Sequence, residues 1–148
     1  MQAQMLAPAA VLVAWTLVML FWMAFSRFPI LAKQGKTLSN APAGIRGQDS
    51  EGDLPPSVNW KSHNYSHLLE QPTLFYAVVV IIAIMGATET DIWAAWIYVG
   101  LRTIHSIWQA TANRIPARFS LFLASTVALI YLAYRAISLT LFANSGVF

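Results

Sequence analysis

Long apolar segments dominate this chain, and short polar stretches separate them. Met5 to Phe25 is a run of 21 residues with Thr16 as its only clearly polar side chain. A helix of that length crosses the roughly 30 Å hydrocarbon layer of a bilayer. The pattern predicts four helices, at about 5–26, 64–86, 91–112 and 116–143. Residues 73–87 form the apolar heart of the second. Thr88 or Thr90 is placed to cap the third, with Glu89 and Asp91 favourable at its positive N-terminal end. Pro116 opens the fourth, where its missing N–H would have no partner in any case. The connections after the second helix are short, so the last three helices are expected to be sequential antiparallel neighbours.

Between the first two helices lies a polar stretch, 33–61, with Gly- and Pro-containing clusters at Ala43-Gly44-Ile45-Arg46-Gly47 and Leu54-Pro55-Pro56. It reads as a long surface loop. Seven basic residues lie on this side: Arg27, Lys33, Lys36, Arg46 and Lys61 around the first loop, and Arg114 and Arg118 between helices three and four. The opposite loop and the two termini carry none. The positive-inside rule then puts both basic loops in the cytoplasm and both termini outside it. Arg135, deep in the fourth helix, is the exception to this pattern.

Composition supports a membrane chain. Hydrophobic residues make up 57% of the 148 and charged residues 10%, and the mean hydropathy is +0.56. The expected fold class is therefore all-α, a single domain over 1–148. The first segment lacks a basic residue before it and a small-x-small cleavage site after it, so it reads as a retained helix. There is no cysteine, which excludes disulfides, thiolate metal ligands and a thiol nucleophile carried by the protein. The net charge of +3 sets topology and gives no reason to expect nucleic acid as a partner.

The few polar residues inside the apolar segments carry the candidate chemistry. A charged side chain at membrane depth costs about 2.5 kcal/mol or more unless it is partnered or hydrated. His63, His67 and Glu70 are spaced by four and three and share one helix face. Asn64 lies on a neighbouring line, and Pro72 loosens the helix just beyond. Arg102, His105 and Gln109 form a second stripe, with Tyr98 one turn further along it. Arg102 lies about 18 Å along the axis from Arg114 at 1.5 Å per residue. Snorkelling is difficult from there, and Glu70 is its expected partner. That pair has two readings, a functional one and a structural clamp between helices. The imidazoles likewise suit packing as well as ligand binding. The four–three spacing of His63, His67 and Glu70 lacks a clear fourth ligand, so no metal site is expected.

Taken together, these residues resemble the MAPEG family, the membrane-associated proteins in eicosanoid and glutathione metabolism. The stretch from Asn64 to Tyr76 looks like the family's helix-two motif, especially in its bacterial form. Tyr98-Val99-Gly100-Leu101-Arg102-Thr103-Ile104-His105-Ser106 is similar to its helix-three signature. Asn113-Arg114-Ile115-Pro116-Ala117-Arg118-Phe119 looks like its basic turn into helix four. The resemblance implies a homotrimer of four-helix protomers in a bacterial inner membrane. It implies glutathione as co-substrate and transferase or peroxidase chemistry on lipophilic molecules arriving from the bilayer. Arg118 is then the catalytic candidate near the thiol. His67, Glu70, Arg102, His105, Gln109 and Arg114 are the glutathione-binding candidates. Three positions depart from the family pattern: His67 replaces an Asn, Gln109 replaces a Tyr, and Phe119 replaces a Ser, with Ser120 one position on. The alternative reading is a non-catalytic assembly or partner-binding protein on the same fold.

Overall fold

The computed structural model describes residues 1–143. The single domain expected over 1–148 has its last five positions outside the described residues. The described residues fold into five α-helices: α1 (Gln2–Lys33), α2 (Pro56–Glu70), α3 (Pro72–Met85), α4 (Glu89–Thr111) and α5 (Ile115–Leu141). A short 3-10 helix, Gly47–Asp53, lies in the first loop. No strand occurs among the described residues.

The core forms where apolar stripes of the helices meet. Met5, Leu12 and Met19 recur every seventh residue along α1 and are fully buried. They pack in one cluster with Phe75, Val79 and Ile82 of α3, Tyr98 of α4 and Leu132 of α5. The opposite faces are also apolar: Leu17, Phe21, Leu74, Ile84, Ile97, Val127 and Ile130 are exposed. Helices that are apolar all round belong in a core or a bilayer. Gln2–Lys33, Pro56–Met85 and Ile115–Leu141 are each long and apolar enough to cross a membrane. This is a multi-pass membrane protein.

Helix boundaries differ from expectation chiefly around the first loop. α1 runs on to Lys33 through Pro29. The second helix starts at Pro56 rather than near 64, so the loop is shorter than 33–61. The segment Pro56–His63 is polar and carries no apolar period. It is held instead by hydrogen bonds: Asn59 Nδ2 donates to the Glu51 carbonyl at 2.9 Å, and Arg27 Nη1 reaches Ser62 Oγ at 3.4 Å.

The second helix is also divided into α2 and α3. Pro72 has no N–H to offer the Leu68 carbonyl, which interrupts the ladder. Gln71 keeps helical angles at the break. Its side chain pins the junction, donating from Nε2 to Thr126 Oγ1 at 3.0 Å and accepting from Tyr98 OH at 3.4 Å.

At the opposite end, Thr88 caps α4. Its hydroxyl oxygen accepts from the Asp91 N–H, and the Asp91 carboxylate accepts from the Thr88 N–H at 2.9 Å. Asp91 is fully buried and takes two hydrogen bonds from Arg135, Nε to Oδ1 at 2.9 Å and Nη2 to Oδ2 at 3.1 Å. Tyr131 OH adds a third at 3.1 Å. Arg135, the residue that broke the charge pattern, is therefore neutralised by the start of the preceding helix.

Candidate functional site

Near the first-loop end, α2, α4 and the start of α5 enclose a cleft of about 310 Å³. His63, His67 and Glu70 come from α2, His105 and Gln109 from α4, and Arg118 from α5. Ile115, Phe119 and Phe122 supply an apolar wall. Both three-residue stripes read from the sequence thus converge here, except at Arg102.

Three rings line the interior. His67 and His105 lie with centroids 5.2 Å apart, and Phe122 is 5.6 Å from His67 and 6.4 Å from His105. His105 and Gln109 are buried. Gln109 Oε1 has no hydrogen-bond partner among the described residues, so a buried acceptor stays open beside the cleft. Such an atom costs about 1–3 kcal/mol if nothing meets it.

Arg118 is fixed by the turn that precedes it. Asn113 adopts a left-handed conformation, φ 48°, which Asn tolerates far better than most residues with a Cβ. Its Oδ1 then accepts from Arg118 Nη1 at 2.7 Å. The guanidinium sits in the first turn of α5, where the helix dipole adds to its attraction for an anion.

The expected Glu70–Arg102 ion pair does not form in this chain. His67 stands between the two. Its Nδ1 lies 3.0 Å from Glu70 Oε2, and its Nε2 lies 3.5 Å from Arg102 Nη1. Arg102 Nη2 also donates to the His67 carbonyl at 3.3 Å. Arg102 is fully buried, lies behind the cleft rather than in its lining, and rests over the rings of Tyr98 and Phe122. Its Nε has no partner among the described residues. Glu70 is instead exposed at the cleft's outer edge. The helix break at Gln71–Pro72 lies directly after Glu70.

Three further residues noted in the sequence lie outside the cleft lining. Arg114 is exposed and outside the cleft lining; its carbonyl accepts from Trp108 Nε1 at 3.2 Å. Ser120 donates to the Pro116 carbonyl in its own helix, so Phe119, not a hydroxyl, faces the cleft. Asn64 is taken up by packing: its Nδ2 donates to Ser106 Oγ at 2.8 Å, and Trp15 Nε1 donates to the same oxygen at 2.9 Å. That junction ties α1, α2 and α4 together behind the site. Sequence reasoning missed Asn113 as the holder of Arg118, although its place at the head of the basic turn was the available signal.

The family profile described as MAPEG family matches residues 5–138, which takes in every element around this cleft. The chain belongs to the MAPEG family. No curated protein and no solved structure gives a significant match. Within this MAPEG protein the residues between Asn64 and Arg118 that carried the resemblance are split between two tasks. His67, Glu70, His105, Gln109 and Arg118 line the cleft, while Asn64, Tyr98, Arg102 and Ser106 are buried behind it.

Proposed function

We propose that this MAPEG protein binds glutathione and conjugates it to lipophilic electrophiles or uses it to reduce lipid-soluble hydroperoxides. The observation that carries this reading is the convergence of Arg118, His67, His105, Gln109 and Glu70 on one cleft with an apolar wall. The donor set suits a zwitterionic thiol peptide. The Glu70 carboxylate offers an anchor for the amino end. The open Gln109 Oε1 offers an acceptor for a peptide N–H. Arg114, exposed at the start of α5, offers a cation for a carboxylate, and Arg102 supports the site from behind through His67.

Arg118 is the catalytic candidate. A free thiol is mostly protonated at neutral pH, and a fixed guanidinium favours the thiolate, which is the competent nucleophile. Arg keeps its own charge throughout. In conjugation the thiolate forms a C–S bond and the electrophile's displaced electron pair leaves or takes a proton. In hydroperoxide reduction, two glutathiones become the disulfide while the O–O bond yields an alcohol and water. Phe119 and Phe122 provide a wall along which an apolar co-substrate meets the sulfur.

The same reading includes a homotrimer of protomers that each cross a bacterial inner membrane four times, α4 being the third crossing in chain order, with both termini outside the cytoplasm. An exposed carboxylate, Glu70, on a membrane-length rod favours a neighbouring subunit at that edge, because lipid would leave it unsolvated. The test is calorimetric titration of the detergent-purified protein with glutathione, followed by ultraviolet titration of the bound thiol. Arg118→Ala is expected to raise the bound thiol's pKa and slow conjugation more than it weakens binding. Absence of binding heat, or of bound thiolate below the range where free glutathione ionises, refutes the enzyme reading. A mass corresponding only to monomer refutes the trimer.

A further inference from the structure

A second and larger cleft, about 900 Å³, lies between the loop end of α1 and the folded first loop. It shares no residue with the site described above. Its walls are mainly apolar, with Phe28 and Leu31 from α1 and Leu38 and Ile45 from the loop. Phe28, Leu38 and Ile45 are 51%, 84% and 46% exposed, which is unfavourable in water for large side chains grouped at one rim.

Cations line the same cleft. Arg27, Lys36 and Arg46 face a single carboxylate, Asp53, and Asp53 is already paired with Lys36. Arg46 has only a loose contact with Asp49 at 3.7 Å and is largely exposed. Arg27 is 8% exposed. Its terminal nitrogens hold the Gly47 carbonyl and Ser62 Oγ, latching the loop to α1, and its Nε has no partner among the described residues. A buried guanidinium without a carboxylate calls for an anion.

An anion-seeking cation beside an open apolar wall selects an amphiphile. The position selects its source: the cleft sits at the end of a membrane-length helix, where headgroups lie and where basic residues attract anionic lipid. We propose that this cleft binds one anionic phospholipid. Its phosphate lies against Arg27 and Arg46, and the upper part of an acyl chain covers Phe28 and Leu31. The lipid fills the gap between α1 and the loop.

Native mass spectrometry of the full, delipidated protein with equimolar phosphatidylglycerol and phosphatidylcholine of the same chains tests this. One phosphatidylglycerol per protomer is expected to survive activation that strips phosphatidylcholine. Arg46→Ala is expected to weaken its retention about fivefold, the effect of one basic side chain near an anionic surface. Ala24→Phe, which narrows the cleft without removing a charge, is expected to weaken retention of the lipid. Lys33→Ala, an exposed lysine outside the lining, is expected to change little. Equal retention of both lipids, an equal effect of Lys33→Ala and Arg46→Ala, or displacement of the lipid by soluble glycerol phosphate overturns the proposal.

Discussion

Asn113 carries two separable loads, and substitutions there distinguish them. Its backbone is left-handed at φ 48°, and its N–H closes the end of α4 on the Trp108 carbonyl at 2.8 Å. Its side chain accepts from Arg118 at 2.7 Å. Asn113→Ala forces a residue with no local polar compensation into the left-handed region, at about 1–2 kcal/mol. It also removes a charged hydrogen bond, for which about 1 kcal/mol is reasonable because Arg118 is half-exposed. The expected total is about 2–3 kcal/mol. Asn113→Gly keeps the turn and loses only the hydrogen bond, so about 1 kcal/mol is expected. Both variants release the guanidinium, and both are expected to weaken control of a bound thiol to the same degree. Denaturant titration in detergent micelles, followed by circular dichroism, measures the first quantity; thiolate absorbance of bound glutathione measures the second. Equal stability of the Ala and Gly variants refutes the strain argument. Wild-type thiolate formation in both refutes the claim that Asn113 positions Arg118.

Asp91→Asn and Arg135→Met are each expected to destabilise by about 2–4 kcal/mol, somewhat below the 3–5 of a sealed pair because Arg135 is partly exposed. The double variant should recover at least about 1 kcal/mol of the summed loss, and strict additivity in the same denaturant titration counts against the pairing. Ser106→Ala leaves Trp15 Nε1 and Asn64 Nδ2 without their shared acceptor and is expected to cost about 2–3 kcal/mol; an unchanged unfolding midpoint refutes that junction. His67→Phe removes the side-chain group between Glu70 and buried Arg102, with about 1–3 kcal/mol of destabilisation expected, whereas Glu70→Gln keeps a side-chain oxygen to accept from the His67 ring and should cost less than His67→Phe. The reverse order of these two losses refutes the bridging role of His67.

The elements legible in the sequence were those written in apolar period or in capping chemistry. The long apolar runs located the spans, and Thr88 with Asp91 marked the start of α4 two residues from its expected place. The beginning of α2 was hidden because Pro56–His63 owes its helix to hydrogen bonds with α1 and the loop, which no local pattern records. The cleft was half legible. Spacing alone put His67 with Glu70, and His105 with Gln109, on shared faces. What spacing could not provide was the relative rotation of two helices. Charge alone therefore matches Glu70 to Arg102, although the His67 ring separates them. The Asp91–Arg135 pair had a signal that went unused: the two residues are equidistant along the chain from Asn113, as an antiparallel hairpin requires.

That pair also bears on how the protein is made. During insertion α4 emerges before α5, and its buried aspartate waits for a cation that lies near the far end of the next helix. Until then the leading end of α4 carries a charge that resists burial, and α5 on its own carries one that resists crossing. Neither helix is a comfortable passenger alone. Joined, they form a neutral hairpin at that depth. On the proposed four-crossing topology the last two helices enter the bilayer together, and in a chain cut between them α4 and α5 are each expected to insert less stably than in the joined hairpin, while the two earlier spans still hold the first fragment in the membrane.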